Sequence, residues 1–235
     1  MIIDNFQLLQ LLFEDVRDNT FLYVQIVRRA KDLPDFRCNE SPIATFIIRT
    51  YAELISKQSD IINICEICKA RAYITITPKS YLAVHKEYTT AIVTRNERDA
   101  FRISPGRLIN HCIGAVSGKP KKWMIDIDDL ENAIPIIESV VDICKHDNTH
   151  IRYYTVVPTV QGCHVIISPF NKKAFYSKHP DVAIHTNSIG TLLYYPESLS
   201  KINSNQDISS IYKETVRRNE LLNNLINYLL NLAKC

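Results

Sequence analysis

The chain has 235 residues, of which 46% are hydrophobic and 23% charged, and its formal net charge at pH 7 is +3. These values are ordinary for a globular protein with a sizeable core, and so mild a charge permits nucleic acid as a partner without indicating it. Only five glycines are present, and the sequence has no glycine-rich phosphate loop of either common kind. This argues against P-loop enzymes and Rossmann dehydrogenases.

The cysteines and the N-terminal sequence indicate in which cellular compartment the protein is expected. The seven cysteines are odd in number and lack disulfide-like spacing, and the N-terminus lacks the basic and apolar regions of a signal peptide. No apolar run approaches the roughly 20 residues that cross a bilayer. We therefore expect a cytoplasmic protein with reduced thiols and no membrane partner. The Cys65-x-x-Cys68 pair is half of a zinc site, but cysteines on a helix are more often core residues.

The first 69 residues are predicted to form a helical addition that packs on the core, so that the chain forms one compact unit. Apolar residues at helical spacing predict an amphipathic helix over residues 3–17, and a segment rich in β-branched and aromatic residues predicts a strand over 20–28. Ser41-Pro42 should begin a helix that runs to about Ser56, followed by a less certain segment over 61–68.

Residues 70–235 show strand and helix patterns that predict one module. The predicted strands cover residues 71–77, 122–128, 153–158, 163–168, 182–185 and 191–195. The predicted helices cover two segments between 80 and 116, which Pro105 and Gly106 separate, and residues 131–145, 170–178 and 211–232. The central order strand, helix, strand, strand predicts an α+β fold, with one sheet that contains antiparallel strands and helices that cover it.

Two carboxylates lie within the apolar strand predicted over residues 122–128. Because strand side chains alternate between faces at about 3.3 Å per residue, Asp126 and Asp128 should point the same way and lie roughly 7 Å apart. A carboxylate in an apolar strand costs several kcal/mol unless it is paired or bound to a metal. Mg²⁺ or Mn²⁺, which prefers oxygen ligands, would remove the repulsion between the two. Alternatively, Asp128 and Asp129 cap the helix that follows.

His164 begins the second strand of a predicted hairpin, directly after a turn that contains Gly162. Alternation places His164 on the same face as Ile166 and opposite Cys163. Considered alone, such a histidine is more often hydrogen-bonded and inert than functional.

Taken together, these motifs resemble those of the archaeo-eukaryotic primase superfamily, which includes the primase-polymerases of plasmids and phages. The run Met124-Ile125-Asp126-Ile127-Asp128 resembles the first family motif, a hydrophobic run that ends in Asp-x-Asp. Gly162-Cys163-His164 resembles the second motif, and Pro169-Phe170-Asn171 fits its usual setting. The resemblance covers roughly residues 70–196 and implies a primase-polymerase-like sheet.

The resemblance implies a nucleotidyltransferase that makes or extends a nucleic-acid strand on a template. Asp126 and Asp128 would bind two divalent ions, Mg²⁺ or Mn²⁺, and His164 would contact the nucleotide. The implied partners are nucleotides and a single-stranded DNA template or primer. Lys122 and Lys172, together with Lys119, Lys121 and Lys173, could attract phosphates, although each is also readily explained as a solvated surface lysine.

The third acidic motif of the family has no clear equivalent. Asp181, at the start of a late strand, could supply the third metal ligand, whereas a different strand register would place the neutral Asn187 there and weaken metal binding. Two alternatives therefore stay open. One is a catalytically weak protein of the same fold that binds nucleotides or nucleic acid, and the other is a phage or plasmid protein that binds a host partner.

Overall fold

The computed structural model describes residues 2–33, 42–94, 105–186, 190–200, 217–218, 220–222 and 224–229. Over these residues the chain has a mixed α+β fold whose strands form two antiparallel sheets. The predicted fold class is thus confirmed at this level. No helix within the described residues is long and apolar enough to cross a membrane.

The strands are short, and most lie close to the predicted positions. They are β1 Ile3–Asp4, β2 Thr20–Val27, β3 Pro42–Ile48, β4 Arg71–Thr75, β5 Lys79–Ser80, β6 Trp123–Ile127, β7 Tyr153–Pro158, β8 Cys163–Ile167, β9 Ala183–His185 and β10 Gly190–Tyr195.

The α-helices separate these strands. They are α1 Tyr51–Ser56, α2 Gln58–Cys68, α3 Tyr81–Val93, α4 Pro105–Ala115, α5 Ala133–His146, α6 Lys172–Tyr176 and α7 Glu197–Ser200. Three 3₁₀ helices cover Gln7–Asp15, Ala30–Asp32 and Leu130–Asn132. Helical residues at 217–218, 220–222 and 224–229 form what we call the C-terminal helix.

The strands form two sheets, whereas the sequence predicted one. The first sheet has the order β1-β10-β4-β2-β3, with β5 paired to β2, and the second has the order β7-β8-β6-β9. The first 69 residues were expected to be a helical addition, yet β2 from this part pairs with β4 from the rest. The division at residue 69 within one compact unit stays a prediction, but the two parts share one sheet.

The helix predicted over residues 42–56 is wrong in its first half, because Pro42–Ile48 is a strand paired with β2. The segment is rich in β-branched and aromatic residues, which favour a strand. The helix begins only at Tyr51, where the side chain of Thr50 accepts a hydrogen bond from the Glu53 backbone N–H. Thr50 is therefore the N-cap of this helix, which begins about ten residues later than predicted.

The N-terminal amphipathic segment also differs from its prediction. Residues 3–17 were predicted to form one helix, but Ile3–Asp4 pairs with β10 and only Gln7–Asp15 is helical, as a 3₁₀ helix. The apolar face is used as expected, because Phe6, Leu9 and Leu12 are fully buried in the core of the first sheet.

Side-chain alternation along β6 separates the core of the second sheet from the candidate site. Ile125 and Ile127 face α5 and the C-terminal helix, where they join a buried cluster with Val140 and Leu225. Met124 and Asp126 point to the opposite face, and Met124 packs into the core of the first sheet. This alternation directs Asp126 toward the junction of the two sheets.

Candidate functional site

The site is built around Asp126 on β6, which is flanked by β8 on one side and β9 on the other. His164 lies directly opposite Asp126 on β8, and Ala183 lies opposite it on β9. Directly opposed residues in antiparallel strands share a face, and His185 is two residues beyond Ala183. The carboxylate of Asp126 consequently lies between two imidazoles. Its Oδ1 is 3.4 Å from His164 Nε2, and its Oδ2 is 3.8 Å from His185 Nε2.

The surroundings of Asp126 favour its charged form. The hydrogen bond from His164 is the largest influence and lowers the pKa of the Asp126 carboxyl below its ordinary value, although partial burial opposes this. The nearby imidazole of His185 lowers the same pKa further by its electrostatic interaction with the carboxylate. The second ring nitrogen of His164, Nδ1, lies 2.9 Å from the Thr191 hydroxyl on β10. Contacts to both sheets thus fix the orientation of the His164 ring.

Asp126 and Asp128 lie between two clefts. The first, which we call the acidic cleft, has a volume of about 280 Å³. It is lined by Asp126, Ile127, Asp128, Asp129, Asn132, Pro135, Ile136, His179, Asp181 and Val182. The second, which we call the inter-sheet cleft, has a volume of about 270 Å³ and is lined by residues of both sheets. These are Arg29, Asp32, Arg71, Tyr73, Asp126, Asp128, Thr159, Val160, Gln161, His164 and Leu192.

Two arginines line the inter-sheet cleft from the side of the first sheet: Arg71 on β4, and Arg29, which lies two residues after the end of β2. The Arg71 guanidinium forms a buried ion pair with Asp32 and lies over the Tyr195 ring, 4.8 Å from its centroid. Arg29 Nη1 donates to the Tyr73 hydroxyl at 3.2 Å. The lining of the cleft therefore combines Asp126, Asp128 and His164 with the guanidinium groups of Arg29 and Arg71, the second of which is paired with Asp32.

Arg29, Arg71 and Tyr73 line the inter-sheet cleft but were not predicted from the sequence. Their only local signal was the alternation of β4, which places Arg71 and Tyr73 on the same face of that strand. Nothing in the sequence indicated that this face would meet the second sheet. The pairing of β4 with β10 and β2 brings these residues to the cleft, and both pairings join segments that are far apart in the chain.

Three of the predicted site residues meet in one cleft, since Asp126, Asp128 and His164 all line the inter-sheet cleft. Asp181 lies outside β9 and lines only the acidic cleft, together with both carboxylates. The other candidate for the third motif, Asn187, falls outside the described residues. Asp129 accepts hydrogen bonds from the Glu131 backbone N–H and the Asn132 amide. The capping role considered for Asp128 and Asp129 thus belongs to Asp129.

Two of the five lysines that were predicted to attract phosphates, Lys122 and Lys172, lie elsewhere. Lys122 is fully buried, where its ammonium pairs with Asp15 at 2.8 Å and donates to the Leu12 carbonyl at 3.3 Å. Lys122 shares a strand face with Asp126, but the 3₁₀ helix Gln7–Asp15 covers its end of the strand, so the phosphate-binding role predicted for it does not fit. Lys172 lies over the Tyr176 ring, 5.2 Å from its centroid, and lines neither cleft.

The carboxylates at the site fit a divalent cation in their chemistry. Mg²⁺ in nucleotide enzymes usually takes one or two carboxylates and completes its coordination with water and substrate phosphates. Asp126 and Asp128, which line both clefts, could supply such a pair. Within the described ranges, no group of three His, Cys, Asp or Glu side chains is arranged to hold an ion. Water and phosphate oxygens would therefore have to supply most of the ligands.

Comparisons of the chain with protein-family models, with curated proteins and with solved structures found no match.

Proposed function

We propose that this protein is a primase-polymerase-like nucleotidyltransferase that binds a nucleoside triphosphate in the inter-sheet cleft and adds nucleotides to a strand on a single-stranded template. The observation that carries the proposal is that Asp126, Asp128 and His164, which the motif resemblance singles out, line one cleft together with Arg29 and Arg71. Carboxylates that suit a divalent ion, placed in one cleft with guanidinium groups that suit phosphates, are the two halves of a metal-nucleotide site.

Each side chain has a role in this proposal. Asp126 and Asp128 would hold Mg²⁺ or Mn²⁺, which when bound makes an attacking hydroxyl more acidic and neutralises a leaving pyrophosphate. Arg29 and Arg71 would bind the phosphates, because planar guanidinium groups pair with phosphate oxygens in a bidentate manner. His164, whose ring is oriented by Thr191 and Asp126, would contact the nucleotide. Asp181, which lines the acidic cleft with Asp126 and Asp128, would be the third metal ligand.

The proposal predicts that activity depends on the carboxylate pair. Changing both Asp126→Asn and Asp128→Asn keeps the size of the side chains and removes their negative charge. We expect nucleotide incorporation on primed and unprimed single-stranded templates, with Mg²⁺ or Mn²⁺, to fall by about 100-fold or more, since several kcal/mol of transition-state stabilisation are lost. Incorporation is measured as extension of a labelled primer and as formation of new product without a primer.

The matched control is the double variant Asp18→Asn plus Asp60→Asn. It removes the same charge from exposed residues that line neither cleft, and it should keep wild-type incorporation. Wild-type incorporation in the Asp126/Asp128 variant would refute the proposal. If the wild-type protein incorporates nothing but binds nucleotide in a saturable, metal-dependent way that requires the pair, it is a binding protein of the same design. If the wild-type protein binds neither nucleotide nor single-stranded DNA, the remaining hypothesis is a phage or plasmid protein that binds a host partner.

A further inference from the structure

The C-terminal helix reaches the turn that precedes His164. Arg218, on this helix, donates from Nη1 to the Val160 carbonyl at 2.9 Å and from Nη2 to the Gly162 carbonyl at 3.2 Å. Arg218 is only 9% exposed. A buried guanidinium needs such acceptors, because an unpaired buried charge would cost several kcal/mol. The single guanidinium of Arg218 therefore donates hydrogen bonds to two carbonyls of the turn between β7 and β8.

The turn itself is closed by short-range hydrogen bonds and packs against β6. The Thr159 backbone N–H donates to the Gly162 carbonyl at 2.9 Å, and the Gly162 backbone N–H donates to the Thr159 hydroxyl at 3.1 Å. A Cβ added at Gly162 would lie only 1.8 Å from the Ile127 carbonyl oxygen. The turn is thus seated on the backbone between Asp126 and Asp128.

The position of the turn is transmitted directly to the site. Gly162 is two residues before His164, and Thr159, Val160 and Gln161 themselves line the inter-sheet cleft. Arg218 also lines a third cleft with Asp128 and Gln161, on the side of the turn that faces the C-terminal helix. A shift of the turn would therefore move both the wall of the inter-sheet cleft and the start of the strand that carries His164.

We propose that Arg218 is a positioning residue, which fixes the turn over residues 159–162 and thereby places His164 beside Asp126. The C-terminal helix then contributes to the site although it supplies no group to the inter-sheet cleft within the described residues. The catalytic meaning of this inference rests on the proposed function, whereas the positional claim concerns His164 alone and can be tested without any nucleotide.

The test compares Arg218→Gln with the neighbouring control Arg217→Gln in the full-length protein. Arg217 pairs with Glu131, lines the same third cleft and is largely exposed, so its loss removes the same charge near Asp128 without touching the turn. The first readout is the long-range ¹⁵N–¹H NMR spectrum of the histidine rings, assigned through a His164→Gln variant. We expect the His164 signals to shift or broaden in Arg218→Gln and to stay unchanged in Arg217→Gln.

The second readout separates positioning from general stability. With poly(dT) as template, we expect the KM for dATP to rise about 10-fold in Arg218→Gln, with a smaller change in kcat. A lysine can reach only one carbonyl at a time, so the KM of Arg218→Lys should lie between those of the wild type and Arg218→Gln. Arg218→Lys also provides a second variant if Arg218→Gln does not fold.

Unchanged His164 signals in a folded Arg218 variant would overturn the inference, whatever the enzyme kinetics. If the wild-type protein incorporates no nucleotide, the proposed function fails, but the NMR comparison still decides whether Arg218 positions His164.

Discussion

Asp126 shows how neighbouring side chains determine the charge of a strand carboxylate. Its sequence context predicts that a divalent cation bound with Asp128 compensates the charge of Asp126. In the structure, imidazoles of His164 and His185 lie on either side of it. These contacts already lower the pKa of the Asp126 carboxyl. The carboxylate therefore stays ionised even without a bound cation, and it remains able to bind one.

A pH-dependent contribution of Asp126 to stability follows. Because its pKa in the folded protein lies below the ordinary value of 3.8, the carboxylate stabilises the fold above that value, and the stabilisation is lost as pH falls through the folded pKa. Asp126→Asn should lower the free energy of unfolding by about 1 kcal/mol at pH 6, a modest value because the side chain is 32% exposed. The difference should shrink toward zero as the pH falls from 6 through the lowered pKa of Asp126 in the folded protein.

Urea unfolding of both proteins across this pH range measures the effect. Asp60→Asn, an exposed carboxylate on α2, serves as the control and should show a smaller difference. If the free energies of unfolding of wild type and Asp126→Asn differ by the same amount at every pH, the amide alters packing and the charge contributes nothing to stability.

At the scale of single elements, segments with one clear periodicity were predicted well. β6, α5 and the β7–β8 hairpin lie within one or two residues of their predicted bounds, because alternation in the strands and a 3.6-residue period in α5 are local signals. β3 was misassigned because Ser41-Pro42 imitates a helix start, while the strand owes its place to pairing with the distant β2.

The residues of the candidate site also differ in whether local sequence signals could predict them. Asp126 and His164 lie on neighbouring strands of one sheet, and Asp128 directly follows β6, so motif spacing and face assignment were enough to bring them together. Arg29, Arg71 and Tyr73 reach the inter-sheet cleft only through the packing of the two sheets. Lys122 was misjudged for the same reason, because its burial depends on the 3₁₀ helix Gln7–Asp15, more than 100 residues earlier in the chain.

The hairpin turn allows a prediction at this scale. Gly162 has no room for a Cβ, which would overlap the Ile127 carbonyl oxygen, whereas a Cβ at Gly114 on α4 would meet no atom within 4 Å. Gly162→Ala should therefore lower the free energy of unfolding by more than about 2 kcal/mol, because the turn must move away from β6. Gly114→Ala should raise it by about 0.5–1 kcal/mol, since alanine favours a helix.

Chemical denaturation of the two variants tests this contrast, because the substitution is the same and only the surroundings differ. A Gly162→Ala protein as stable as wild type would show that the turn is not held against β6.

At the scale of the whole molecule, the first sheet joins strands that lie far apart in the chain, from residue 3 to residue 195. β1, at residues 3–4, pairs with β10, at residues 190–195, and β2 lies between β3 and β4. The two sheets are joined by Asn5, whose buried side-chain amide donates to the Pro158 carbonyl and the Leu192 carbonyl, each at 2.9 Å. Long-range pairing of this kind makes the first 69 residues part of the wall that carries Arg71 and Tyr73.

The division at residue 69 suggested by the sequence can therefore be tested by cutting the chain there. A fragment of residues 70–235 would leave β4 without β2 as its partner. It would also expose the core surface that Phe6, Leu9, Leu12, Leu22, Val24 and Ile26 cover in the full chain. We expect this fragment to lack a cooperative thermal transition and dispersed amide NMR signals, because each large buried apolar side chain contributes roughly 1.5–3 kcal/mol. Coexpression with residues 1–69 should restore both. A fragment that folds cooperatively by itself would show that the second part is an independent domain and that β2 is added to a sheet already formed.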